Sequence, residues 1–225
     1  MKTRRWFCSF LLFLAGLIVA MGCSQGLDYV KNLDAGVGEQ IIVLGDSIAS
    51  GYGVAEAEAF PNVLSRKLGL PILNKGVAGD TTAMGLNRLQ EDVISQNPWL
   101  VIVELGGNDY LRKVPLAETE ENLRQIITQI QQQGAIVVLL GINPGLLNDP
   151  YKEMFEKVAQ ETQAYLIPQI FKGVLDNPKH RQDDVIHPNA VGQEILASRV
   201  AEDLRPLLKD AKWPASLMKY KSSTD

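Results

Sequence analysis

The sequence predicts an α/β protein built on one parallel sheet with helices on both faces, and three observations predict it. Five short apolar runs recur along the chain: Ile41–Leu44, the run opening at Pro71-Ile72-Leu73-Asn74, Leu100–Leu105, Ala135–Ile142 and Ala164–Pro168. Stretches with helical apolar spacing separate them, and strands that alternate with helices pair in parallel. The first four runs lead into polar turns: Gly45-Asp46-Ser47, Gly79-Asp80, Gly106-Gly107-Asn108-Asp109 and the loop from Asn143. Right-handed crossovers set every strand's carboxyl end on one edge, so these turns collect there.

Each element has a local cause. Ile41–Leu44 is unbroken apolar sequence, the pattern of a strand buried on both faces. Phe60-Pro61 opens a short helix with Val63, Leu64 and Leu68 on one face, and Gly69 stops it. Thr81 or Thr82 caps the next helix, in which Leu86, Leu89, Val93 and Ile94 keep helical spacing up to Asn97-Pro98. Pro115 starts a long amphipathic helix carrying Leu123, Ile126, Ile127 and Ile130, and Gly134 ends it. A loop over Asn143–Tyr151 precedes a helix running to Gln163. The last helix spans Pro188–Leu208, with Val191, Ile195, Leu196 and Leu204 facing inward. Neither an internal repeat nor a second domain is evident.

At 225 residues and 46% apolar composition the chain suits one domain with a sizeable core. Residues 1–22 carry Lys2, Arg4 and Arg5 and no acid, so the rest holds 19 bases against 26 acids. That balance, without a Lys/Arg cluster, argues against a nucleic-acid partner. The basic start precedes Trp6–Gly22, 17 residues without a charge, the pattern of an export signal over 1–22. Cys23 follows directly, and Val19-Ala20-Met21-Gly22-Cys23 resembles a bacterial lipoprotein box, with Ala20 where Leu is usual. Plain secretion and a retained anchor use the same run, and Thr3-Arg4-Arg5-Trp6-Phe7 resembles a twin-arginine signal. The expected plan is a signal peptide (1–22), a lipidated Cys23 with a polar linker to residue 39, a domain over 40–208 and a loose tail over 209–225. Cys8 and Cys23 are the only cysteines, so the exported domain has neither a disulfide nor a thiol nucleophile.

The polar edge has the parts for acyl transfer. A serine nucleophile needs a base within hydrogen-bond reach and a group to orient that base. Only two histidines exist. His180 sits in a polar stretch, whereas His187 opens the last helix with Asp184 three residues before it. Ser47, His187 and Asp184 therefore form a candidate triad. The N–H groups of Ser47 and Gly79 and the Asn108 amide lie on the same edge as candidate oxyanion donors, and Gly79 suits a close approach because it lacks a side chain. Two readings compete: a metal hydrolase using His180, Asp183, Asp184 and His187, and a non-catalytic envelope binding module on the same fold.

Four blocks now stand in order: Gly45-Asp46-Ser47, Gly79, Gly106-Gly107-Asn108-Asp109 and Asp184-Val185-Ile186-His187-Pro188. They resemble those of the SGNH (GDSL-type) hydrolases, and the flanking text is similar to the bacterial arylesterase, thioesterase and lysophospholipase branch, over roughly Gln40–Leu208. The resemblance implies a flavodoxin-like three-layer α/β/α sandwich with a five-stranded parallel sheet and a serine esterase that works without metal or cofactor. Its substrates would be carboxylic esters or thioesters, lysophospholipids among them; carbohydrate O-acetyl ester hydrolysis is the variant on the same fold. By position it implies Ser47 as nucleophile, His187 as base, Asp184 as its orienter, and Ser47, Gly79 and Asn108 at the oxyanion. Tyr110 stands where the branch often has a small residue and reshapes the pocket. Leu146 and Leu147, in the loop behind the fourth strand, are expected to line an acyl groove. The expected partners are a small ester or lipid substrate and a membrane reached through the Cys23 anchor.

Overall fold

The computed structural model describes residues 26–142 and 149–223. Five parallel strands form one sheet in the order β2-β1-β3-β4-β5: β1 (Gln40–Gly45), β2 (Ile72–Gly76), β3 (Pro98–Glu104), β4 (Ile136–Leu140) and β5 (Tyr165–Ile167). This is the expected flavodoxin-like architecture. Every residue of β3 and β4 is buried, as are the last five of β1, so the apolar runs are central strands covered on both faces.

The α-helices are α1 (Ser47–Ser50), α2 (Phe60–Leu68), α3 (Thr82–Asn87), α4 (Leu89–Asp92), α5 (Gly107–Leu111), α6 (Leu116–Gln132), α7 (Pro150–Thr162) and α8 (Ala190–Asp210). Helix α2 packs on α8, while α6 packs between α3 and α7, giving the two outer layers. Among the described residues no helix is long and apolar enough to cross a membrane.

Four expectations change. Val191, set facing inward by the helical spacing of the last helix, is exposed in its first turn. The helix after Thr81 breaks at Arg88, whose backbone leaves helical geometry (φ −99°, ψ 2°) and whose guanidinium binds Asp80 Oδ2 (2.6 Å), Asp92 Oδ2 (2.8 Å) and the Gly45 carbonyl (3.0 Å). The segment expected as a linker up to residue 39 is packed from Leu27 onward, with Val30 and Leu33 buried. It runs as a belt across the amino ends of the strands. Lys31 N–H donates to Gln163 O, the Asn32 amide to the carbonyls of Gln131 and Ala135 (2.8 Å each), and Glu39 N–H to Asn97 O. The tail is not loose either. Trp213 buries its ring 4.7 Å from that of Trp99, its Nε1 donates to Leu208 O, and Lys212 N–H donates to Leu33 O. Short apolar residues in a polar stretch carry no period, which hides such packing from a sequence reading.

The order of the strands matters for the site. The chain reverses its direction of winding between β1 and β3, the switch point where open α/β sheets bind ligands beyond the carboxyl ends of the strands. The turns after these two neighbouring strands hold Asp46-Ser47 and Gly106-Gly107-Asn108.

Candidate active site

Ser47 is the first residue of α1, directly beyond β1. Asp46 caps this short helix, its Oδ1 accepting the Ile48 N–H at 2.9 Å. As first helical residue Ser47 has no intrahelical acceptor for its N–H, and it lines the cavity described below. Ser47 Oγ lies 2.8 Å from His187 Nε2, and His187 Nδ1 lies 2.6 Å from Asp184 Oδ2. A carboxylate only accepts, so Nδ1 carries the proton and Nε2 is left as acceptor toward the Ser47 hydroxyl.

The loop behind His187 is held in several ways. Asp184 Oδ1 accepts the N–H groups of both Ile186 and His187 at 3.1 Å. Partial burial raises the Asp184 pKa, but these two N–H groups and the His187 ring outweigh it and hold the carboxyl below its ordinary value. The turn requires a left-handed backbone at Val185, φ 65°, a conformation a β-branched residue adopts only under strain. Gln182 ties the loop down, its Nε2 donating to Tyr52 O (2.7 Å) and Pro188 O (3.0 Å). The Tyr52 ring lies against the imidazole, centroids 4.7 Å apart.

Gly79 has φ 87°, and its carbonyl accepts from Arg112 Nη2 at 2.6 Å. Asn108 Nδ2 donates to Asp46 Oδ2 and to the Asp80 carbonyl, both at 3.0 Å. Two acceptors on one side fix which face of the amide points there. The next residue, Asp109, is fully buried and accepts from Thr82 N–H, Thr82 Oγ1 and Thr119 Oγ1; it fastens α5 to α3 and α6.

These groups face one cavity of about 420 Å³. Besides Ser47, Gly79, Asn108 and His187, its wall includes Tyr110, Ile142, Tyr151, Phe171, Leu175 and Ile186. Tyr110 packs edge-on against Tyr151 in that wall, centroids 5.4 Å apart. Leu146, Leu147 and Cys23 lie outside the described residues. The ligand set of the metal reading does not assemble. His180 Nδ1 donates to Gly173 O at 2.8 Å, and no group of three or more His, Cys, Asp or Glu side chains converges among the described residues.

A sequence reading missed two buried carboxyls beside the serine, Asp46 and Glu104. The signal was present for the second, since Glu104 is the one charged residue in the apolar run Trp99–Leu105.

Known proteins share this arrangement of chain. The model of the GDSL-like Lipase/Acylhydrolase family matches residues 43–195. The chain is 34% identical over 181 residues to the thioesterase 1/protease 1/lysophospholipase L1 of Escherichia coli (strain K12), covering 77% of this chain and 87% of that protein. It is also 34% identical to an arylesterase of Vibrio mimicus, over 74% of this chain and 88% of the relative. The crystal structure of TesA superposes with a TM-score of 0.70 at 33% identity, over 75% of this chain and 99% of the other. The chain belongs to the GDSL-like lipase/acylhydrolase family and is a serine ester hydrolase.

Proposed function

We propose that the protein hydrolyses esters or thioesters of apolar acyl groups through an acyl-enzyme on Ser47. The observation that carries this reading is the hydrogen-bonded row Asp184–His187–Ser47 opening on the apolar cavity. His187 Nε2 takes the Ser47 proton as Oγ bonds to the acyl carbon. The carbonyl oxygen gains charge and meets the N–H groups of Ser47 and Gly79, with the Asn108 amide exchanging one of its two acceptors for it. The bond to the leaving alkoxide or thiolate breaks as His187 returns the proton. Water then repeats the sequence, releasing the acid and restoring the Ser47 hydroxyl. Aromatic and aliphatic walls favour an acyl or aryl group over a carbohydrate, and an intact row of three side chains disfavours a non-catalytic binding module.

The test is turnover of p-nitrophenyl esters of rising chain length, a lysophospholipid and an acyl-CoA, with Ser47→Ala alongside. Loss of kcat by about 10³–10⁶ in the variant supports the reading. Equal rates in the two proteins would overturn it.

For location, we infer export and lipidation at Cys23, on the basic, apolar and small-residue pattern of residues 1–23. Only Ser24, Gln25 and Gly26 then separate the anchor from the belt. The belt crosses the amino ends of the strands, and one strand of six residues such as β1 spans about 20 Å. The mouth of an anchored molecule therefore faces away from its own membrane. That orientation favours esters met in the aqueous phase over lipids of the anchoring leaflet.

A further inference from the structure

Beneath the Ser47 turn lies a pair of carboxyl groups that acyl transfer leaves without a task. Glu104 ends β3 and is completely buried. Its Oε2 accepts the N–H groups of Asp46 (3.2 Å) and Ala49 (3.3 Å), the residues on either side of Ser47-Ile48. Gly45 makes room for it, because a Cβ there would stand 2.7 Å from that oxygen. Glu104 Oε1 meets no donor among the described residues. The Asp46 carboxyl is buried as well and lies beside that of Glu104, whose Oε2 already accepts the Asp46 N–H. Its own oxygens are fixed by Ile48 N–H and by the Asn108 amide.

Two carboxylates cannot hydrogen-bond to each other without a proton, since neither can donate. The Arg88 guanidinium beside them is engaged with Asp80, Asp92 and the Gly45 carbonyl. Two adjacent buried charges without a cation between them are costly, and the usual resolution is one shared proton. Burial and the Asp46 charge push the Glu104 carboxyl well above its ordinary range; burial likewise raises Asp46, to about 6. The Ile48 and Asn108 donors favour charge on Asp46, which leaves the proton on Glu104. A second full charge at this position would also oppose the negative charge that develops at the oxyanion.

We propose that Glu104 is a positioning residue for acyl transfer: as a neutral acid it donates to the Asp46 carboxylate that orients the Asn108 amide, and its Oε2 holds the N–H groups that frame Ser47. The proposal rests on Ser47 being the nucleophile.

The experiment compares Glu104→Gln with Glu104→Leu in the whole protein. Glutamine keeps a carbonyl oxygen for the two N–H groups and offers an amide N–H to Asp46, whereas leucine removes both. The Gln variant should keep kcat within about threefold. The Leu variant should lose about 10²–10³ in kcat, the scale of one misplaced oxyanion donor, with KM little changed. Infrared spectra at neutral pH should show a protonated-carboxyl stretch in the parent that is absent from Glu104→Gln. A Gln variant as slow as the Leu variant, a Leu variant at parental kcat, or no such stretch would each overturn the proposal. Should the Leu variant not fold, the isosteric Gln variant and the spectrum decide alone. Stoichiometric labelling of Ser47 by a fluorophosphonate is read separately; its absence in the parent would sink the nucleophile assignment and leave the Glu104 spectrum standing.

Discussion

His187 Nε2 stands 2.8 Å from Ser47 Oγ across 140 residues of sequence, and Asp184 Oδ2 holds the ring from behind at 2.6 Å from Nδ1. Asp184→Asn tests that support. An amide can donate to Nδ1, which moves the ring proton to Nε2 and leaves no acceptor for the serine hydroxyl. The expected result is a fall in kcat on the order of 10⁴ with an unchanged circular dichroism spectrum. Parental turnover in this variant would show that Asp184 does not set the tautomer.

Val185 stores strain in the same loop. A β-branched residue at φ 65° is unfavourable by about 1–3 kcal/mol, and its half-exposed side chain gains little from packing. Asparagine tolerates the left-handed region. Val185→Asn should therefore raise the melting temperature while leaving kcat on short esters unchanged. Because Val185 lines the cavity, KM for long acyl chains should rise. A lower melting temperature would refute the strain argument.

Cavity shape should set chain-length preference. Ile142, just past the carboxyl end of β4, forms part of the wall and is buried. Ile142→Phe adds bulk inside that space, so the optimum in a p-nitrophenyl ester series should move to shorter chains, with kcat on acetate retained. An unmoved optimum would mean the acyl chain lies elsewhere.

The sequence exposed the fold because its strands are central. Ile41–Leu44 and Leu100–Val103 are buried on both faces, so their apolar runs are unbroken and their ends abrupt. The site groups are legible for a related reason: Ser47, Gly79, Asn108, Asp184 and His187 lie in turns or in the first residues of short helices that follow the strands, where residue type is tied to backbone geometry. Other parts depended on partners far along the chain. Leu33 and Trp213 give no periodic signal, yet both are buried, Trp213 beside the Trp99 ring and Leu33 where its carbonyl accepts the Lys212 N–H. Gln182 reads as a loop residue until Tyr52, 130 positions away, is seen to accept from it. Asp46 reads as a turn residue until Glu104 appears beneath it.

The belt yields a prediction about orientation. The lipidated full chain, reconstituted in vesicles, should hydrolyse a water-soluble p-nitrophenyl ester at the rate of the free domain. Lysophospholipid in the same vesicle should be cleaved slowly. Inserting a flexible Gly/Ser segment of about 20 residues after Gln25, with a reach of about 25 Å, should raise only the second rate. Equal hydrolysis with short and long segments would remove the orientation argument, whereas mass spectrometry showing an unmodified Cys23 would remove the anchor itself.

The carboxyl pair gives stability a pH dependence of unusual sign. Asp46 moves from 3.8 to about 6 on folding, chiefly through burial, and Glu104 moves upward from 4.5. Over that window the folded state binds more protons than the unfolded chain, so stability falls as pH rises. The loss begins near pH 4 and continues through pH 6 and above. Asp184 has the opposite sign: its carboxyl lies below 3.8 when folded, so its contribution is present above that pH and is lost only on further acidification. The two windows therefore separate. Chemical denaturation between pH 4 and 8 should show the parent losing stability with rising pH, and Glu104→Gln should flatten the curve by removing one of the two raised acids, while burial keeps Asp46 raised. A parental curve that rises across this range, or one that Glu104→Gln leaves unchanged, would mean that the pair does not hold its proton in the folded state.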